Sequence, residues 1–398
     1  MPQNDRRRLA AVVLAGFCAF LGLHAPQPLL PLLQGVFRVS TSRVSLIITV
    51  STATIAVVAP LVGLLADRWG RRNIIIPAAL LLALPSALAA ASATFGQLLF
   101  WRVLQGVCTP ALAATSVAYI TEEWREGAGT AMSAYVAGTI LGGYAGRTLA
   151  ALVGAHHPWQ WAFLLLGILT FAGGLGIWAW LPHDSQTPAG HAPRAANPRG
   201  ALWDHMRNPA LLATYAVGFC VLFTIIAAFT YINFRLSAPP FGWSTSSLGF
   251  LFTAYLAAAI VTMSSGGLMS RFGYRMALLL ALGVSIAGIL LTLMENAPAI
   301  VAGLTIFCCG IFVAQTAGNS YLGISAAHSR AAAVGLYVTA YYVGGTLGGA
   351  VPGYFWNSGG WPACVAFIVL TQVLTGLLVG RYWQNRVHAL PLVSAAID

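Results

Sequence analysis

Long apolar runs leave this chain few ways to fold. A helix that crosses a lipid bilayer needs about 20 mostly apolar residues. Twelve such stretches follow one another, at 9–33, 44–66, 73–93, 95–120, 129–153, 159–181, 209–234, 245–269, 275–294, 297–321, 332–356 and 362–381. Charged residues make up 7% of the chain, against about a quarter in a soluble domain. In hydrocarbon a chain must satisfy its own backbone polar groups, so these runs become helices. The expected class is an all-α membrane protein with twelve transmembrane helices and the lipid bilayer as its main partner.

The charges are sorted along the chain. All 20 basic residues are arginines. With the N-terminus inside, the cytoplasmic segments hold fifteen of them and the outer segments hold Arg38, Arg43 and Arg235. Positive residues favour the cytoplasmic side, so both termini are expected there. The net charge of +11 is thus a record of topology, and no nucleic-acid partner is expected. The N-terminal 25 residues resemble a signal peptide in charge, but their apolar run is too long and lacks a cleavage site. They are read as a retained first helix. All six cysteines lie in apolar runs without ligand spacing, so neither disulfide, metal nor cofactor is expected.

The densest charge cluster is Gly63-Leu-Leu-Ala-Asp67-Arg68-Trp69-Gly70-Arg71-Arg72, between the second and third runs. Gly70 suits a tight turn. The cluster returns as Gly266-Gly-Leu-Met-Ser270-Arg271-Phe272-Gly273-Tyr274-Arg275, 203 positions later. Gly138, Gly142 and Gly146 in the fifth run have apparent counterparts in Gly345, Gly349 and Gly353 of the eleventh, at an offset of 207. Trp159 opens the sixth run and Trp361 the twelfth. Two parallel halves follow, a known transporter design. The expected division is a six-helix bundle at 1–181, a cytoplasmic linker at 182–208 containing Pro182, Pro188, Pro193 and Pro198, and a second bundle with a short tail at 209–398.

The pattern G-x-x-x-D-R-x-G-R-R at Gly63 to Arg72 resembles the signature loop of the major facilitator superfamily. The resemblance implies that fold: two pseudo-symmetric six-helix bundles working by alternating access. It also implies that Gly63, Asp67, Arg68, Gly70, Arg71 and Arg72 form a gating loop paired with Glu122 or Glu123 at the end of the fourth helix. Arg102-Val-Leu-Gln105-Gly106 resembles a second motif, whose arginine is implicated in proton coupling. Gly142-Gly143-Tyr144-Ala145-Gly146-Arg147 departs from the antiporter motif G-P-x-x-G-G at Gly143 and Arg147. Tyr119-Ile-Thr-Glu122-Glu123 and Tyr341-Tyr-Val-Gly-Gly-Thr-Leu-Gly-Gly resemble the acriflavine-sensitivity branch of drug exporters.

Charges within a membrane are costly and are presumed functional. Arg102 and Arg147 are the two clear cases. Arg102 either serves coupling or is held by first-helix carbonyls. Arg147 either lines the cavity or snorkels to the outer surface. His24 is the third coupling candidate, beside Pro26, Pro28 and Pro31, which are expected to bend the first helix. The alternative for His24 is a plain hydrogen-bonded side chain. All nine acidic residues fall outside the twelve runs, so the carboxylate that cation pumps place in the membrane is missing. Polar cavity candidates are Gln27, Gln105, Thr109, Tyr215, Asn233, Gln315, Asn319, Tyr337 and Tyr341.

The expected function is secondary active, proton-coupled efflux of a small amphipathic compound across a bacterial inner membrane, by a monomer. A carrier for a small anionic metabolite is the alternative, favoured by Arg102, Arg147 and the missing carboxylate. An intramembrane enzyme would need a catalytic constellation, and none is visible; a channel would need a selectivity filter.

Overall fold

The computed structural model describes residues 3–124, 128–181, 205–326 and 330–384, and it leaves aside the side chains of 3–5, 63–69, 122, 123, 128, 330 and 331. Residues 182–204 of the expected linker, most of the tail, and all that was read into the side chains of Gly63, Asp67, Arg68, Glu122 and Glu123 therefore lie outside the described residues.

The first half comprises α1 (Gln3–Leu21), α2 (Leu46–Trp69), α3 (Arg71–Leu88), α4 (Phe95–Glu123), α5 (Ala128–His156) and α6 (Trp159–Trp180). The second comprises α7 (Pro209–Ser237), α8 (Thr245–Met263), α9 (Ser265–Leu291), α10 (Ala297–Ser325), α11 (Arg330–Ala350) and α12 (Pro352–Tyr382). Ten of the twelve are long and apolar enough over their described residues to span a bilayer. The other two are α1, continued by short segments at Gln27–Leu29 and Leu30–Phe37, and α11.

Outward faces are apolar at helical spacing. Ile168, Phe171, Leu175 and Trp178 on α6 are exposed, as are Met276, Leu280 and Val284 on α9. In water such faces would need covering; in a membrane they meet lipid. By contrast α7 is buried along nearly its whole length, from Leu211 to Leu236. It is the central helix of the second half.

The repeat is present in the backbone. Gly70 takes φ 82° and ψ 144° between α2 and α3, and Gly273 takes φ 77° and ψ 161° within α9. Glycine alone tolerates that region freely. The eighth crossing therefore runs on to 272 and the ninth starts at Tyr274. A positive φ of 61° at Gly360 likewise separates the eleventh crossing from the twelfth, which opens with Trp361.

The glycine ladders need a correction of register. A Cβ at Gly142 or Gly146 would collide with the carbonyl oxygen of Phe17 or Leu21 on α1. The matching collisions in the second half are Gly344 with Phe219 and Gly348 with Phe223 on α7. The true offset is 202 on both sides (344 − 142, 348 − 146, 219 − 17 and 223 − 21). Gly345, Gly349 and Gly353 form a second ladder at the junction of the halves, with Thr52, Thr49 and Ser42 of the opposite half on one side and Leu222 and Tyr231 of α7 on the other.

The halves meet at one end. Four contacts between them lie in the part of the bundle remote from the termini. Thr346 reaches Thr52 (3.4 Å), Tyr231 reaches Ser45 (3.1 Å), Gln27 reaches Thr230 (3.3 Å), and Arg147 lies over Phe252 and Tyr255. Toward the other end Val334 and Gly335, near the start of α11, are exposed, and a Cβ on Gly335 would meet nothing.

Candidate functional site

The prolines of the first helix break it, as expected. Proline 26 has no N–H to give to the Gly22 carbonyl four residues back. The helix ends at Leu21, and Gln27 donates instead to His24 (3.1 Å) in a tighter turn. The carbonyls of Gly22 and Leu23 are left without helical donors inside the membrane. Arg102 supplies them. Its Nη1 donates to Gly22 (2.9 Å) and Nη2 to Leu23, while Nε donates to Ile47 on α2 (3.0 Å). Nη1 also donates to Gln105, whose Nε2 donates to Ser86 (2.7 Å). Ser51 returns a bond to the Arg102 carbonyl (2.9 Å). Arg102 is fully buried and ties α1, α2 and α4 together through neutral acceptors. Of the two sequence readings, this is the geometry of the second.

Arg147 resolves differently. It is 4% exposed and points between the halves, so it does not snorkel to the surface. Nε donates to Gln27 (2.8 Å) and Nη1 to Gly143 on its own helix (2.8 Å). Its guanidinium carbon lies 4.9 Å from each of the Phe252 and Tyr255 rings on α8. A cation over two ring faces is attracted by their quadrupoles, the more so away from water. Gln27 in turn donates to Thr230 on α7, 203 positions on. His24 is buried within electrostatic range of both arginines, with Nε2 lacking a partner.

The remaining candidates divide into separate groups. Thr109 is buried and bonds back to Gln105 on its own helix (2.8 Å). Tyr341 is engaged by Gln315 and lies within electrostatic range of Arg147, so these two join that centre. Tyr215 and Tyr337 pack together with Leu322 at the terminal end of the second half, and both hydroxyls lack partners. Asn319 is exposed on α10. Asn233 is buried, donates to Phe229 on its own helix, and leaves Oδ1 unpartnered. At the loop, Arg72 donates to the Leu181 carbonyl at the end of α6 (3.2 Å).

Sequence reasoning missed Ser86, Thr230, Phe252 and Tyr255. Thr230 lies one position beyond Phe229, the counterpart of Gln27 at the α1/α7 offset of 202, so the repeat pointed to its neighbourhood and not to the residue itself. The two aromatics carried no signal, being rings within an apolar run.

A family model described as Major Facilitator Superfamily matches residues 12–320. The chain is 30% identical to the inner membrane transport protein YnfM of Escherichia coli strain K12 over 392 residues, covering 98% of this chain and 93% of that one. Its fold is similar to that of the nucleoside transporter NupG (TM-score 0.79, 13% identity, 95% of this chain and 99% of the other). It is similar also to a bacterial homologue of the human lysosomal transporter Spinster in an inward-facing, occupied conformation (TM-score 0.75, 15% identity, 96% and 95%).

Proposed function

Because the chain belongs to the major facilitator superfamily, we propose that it works as an exporter: a monomeric secondary transporter of a bacterial inner membrane that moves small amphipathic compounds outward by alternating access, powered by the proton gradient. The observation that carries this reading is the one-ended seam between the halves. The arginine count argues that both termini are cytoplasmic. The sealed end is then periplasmic, and the conformation is one that receives solute from the cytoplasm. Solute enters beside the mixed polar and aromatic surface around Gln315 and Tyr341 and comes to rest near Arg147 and Gln27. A mostly apolar pocket with a few convergent polar groups is the usual small-molecule site. Closing the cytoplasmic end and parting the seam releases it outside.

We assign proton coupling to His24, a residue type that titrates near physiological pH. Arg102 acts beside it by holding the broken first helix in place. The test is flux by purified protein in liposomes, with and without a pH gradient, across cationic, neutral and anionic amphipathic solutes. Gradient-driven flux is expected, and His24→Gln should remove its dependence on the gradient. Unchanged gradient dependence in that variant excludes His24; no flux of any solute overturns the export reading. Reporter fusions at Asp398 and near Ala195 should report cytoplasm, and periplasmic activity at either would invert the orientation.

A further inference from the structure

Arg147 is not demanded by the fold. At the offset of 202 its counterpart in the second half is Gly349, where the corresponding seam closes against Thr49 with no charge at all. A cation has been added to one half only, at a depth where charge is costly. It has been left without an acid. Its hydrogen-bond partners are the neutral Gln27 and Gly143, and among the described residues Nη2 meets no acceptor. All nine acidic residues of the chain lie outside the twelve apolar runs.

The surroundings repeat that imbalance. The Tyr255 ring lies 4.9 Å from the guanidinium, yet its buried hydroxyl has no partner. The Nε2 of His24 is likewise buried and unpartnered, within electrostatic range of Arg147. Buried polar groups are normally satisfied, and orphans call for an explanation. Here the guanidinium has no acid beside it among the described residues, and the Tyr255 hydroxyl is left with a proton to donate. Phe229, Phe252 and Phe312 pack around Tyr255 and give the same place an aromatic wall.

We propose that Arg147 and the Tyr255 hydroxyl bind the anionic group of the transported solute, and that this solute is a small organic anion with an apolar ring that packs on Phe312, the partly exposed member of that wall. The inference rests on the export reading above and names the substrate class for the same site. It also accounts for the missing membrane carboxylate. A cation exporter needs one so that proton and cargo can compete for it. An anion leaving the cell is instead also driven by the inside-negative potential.

The test is ligand-induced thermal stabilisation, since anything that binds only the folded protein raises its unfolding temperature. Three permanently defined probes share one ring: benzenesulfonate, benzenesulfonamide and benzyltrimethylammonium. Benzenesulfonate should stabilise the protein most. Losing a charged hydrogen bond should make Arg147→Gln bind it about tenfold more weakly or worse. Arg147→Lys should fall between, because lysine keeps the charge without the planar fork. Tyr255→Phe keeps the ring under the guanidinium and should weaken the sulfonate several-fold and the neutral sulfonamide less, because a hydrogen bond to a charged acceptor is the stronger one; it stands as the test if Arg147→Gln does not fold. Equal stabilisation by all three probes, or preference for the ammonium, overturns the anion site while the export reading stands. Stabilisation by none also overturns the site, and the export reading is then judged separately on the liposome flux.

Discussion

Replacing Arg102 by alanine should cost the fold about 2–6 kcal/mol. The figure comes from two carbonyls. Gly22 and Leu23 lose their helical donors where Pro26 and Pro28 break the first helix, and Arg102 supplies replacements. A buried polar group left without a partner costs about 1–3 kcal/mol. Removing a buried cation returns part of its own desolvation cost, which moves the result toward the lower end of that range. The protein carries its own reporter. Its six cysteines are unpaired, and Cys18, Cys220, Cys308 and Cys364 are buried, so a thiol-reactive dye reads unfolding as they become exposed. Arg102→Lys should recover part of the loss. The sharper test is a cycle with Pro26→Ala, which restores an N–H four residues after Gly22 and so offers that carbonyl a helical donor. The double variant should be less destabilised than the sum of the single ones, with a coupling of about 1 kcal/mol or more. Strict additivity would refute the reasoning. So would an alanine variant that melts with the parent but no longer transports, because Arg102 would then serve coupling alone.

Gly142→Ala should destabilise by about 1–3 kcal/mol, since its methyl group meets the Phe17 carbonyl, whereas Gly335→Ala, with open space around it, should be neutral or stabilising by up to about 1 kcal/mol; thermal unfolding compares them. Cysteines at Thr52 and Thr346, whose hydroxyls lie 3.4 Å apart, should form a disulfide that arrests flux and releases it on reduction; flux that continues in the oxidised form would place the seam outside the cycle. Asp67→Asn should shift the population toward the cytoplasm-open state about tenfold if the carboxylate, at the positive N-terminus of α11 in the other state, contributes about 1.4 kcal/mol; spin-label distances across the cytoplasmic gap measure it, and unchanged distances and turnover would leave the loop a purely topological role.

What the sequence made legible depended on range. The turn glycines were readable because Gly70 and Gly273 carry a local backbone demand inside a repeated charge pattern. The break in the first helix was readable from three prolines. The glycine ladder of α11 was misaligned because two ladders interleave on that helix, one facing α7 and one at the junction of α7 and α2, and a spacing of four residues fits both. Arg102 was identifiable as a buried charge, but its acceptors lie about 55 and 80 positions away in sequence, on helices whose rotation no local pattern reveals. Arg147 was ambiguous between lipid and interior for the same reason. Phe252 and Tyr255 became part of a site only when α8 of one half was laid against α5 of the other.

The seam between α2 and α11 bears on how fast such a machine can run. Its hydroxyls do not depend on the opposite half. Thr49 donates to Ser45 (3.2 Å), Thr52 to Ile48 and Thr49 (3.2 and 3.0 Å), and Thr346 to Tyr342 (2.8 Å), each on its own helix. Facing them are the bare backbones of Gly345 and Gly349. Parting the halves there strands no polar atom, because each of these hydroxyls keeps a bond on its own helix. If the halves part as proposed, this surface acts as a bearing that guides the motion and adds little to its barrier, and the charged and aromatic contacts around Arg147 are left to decide which way the halves lean.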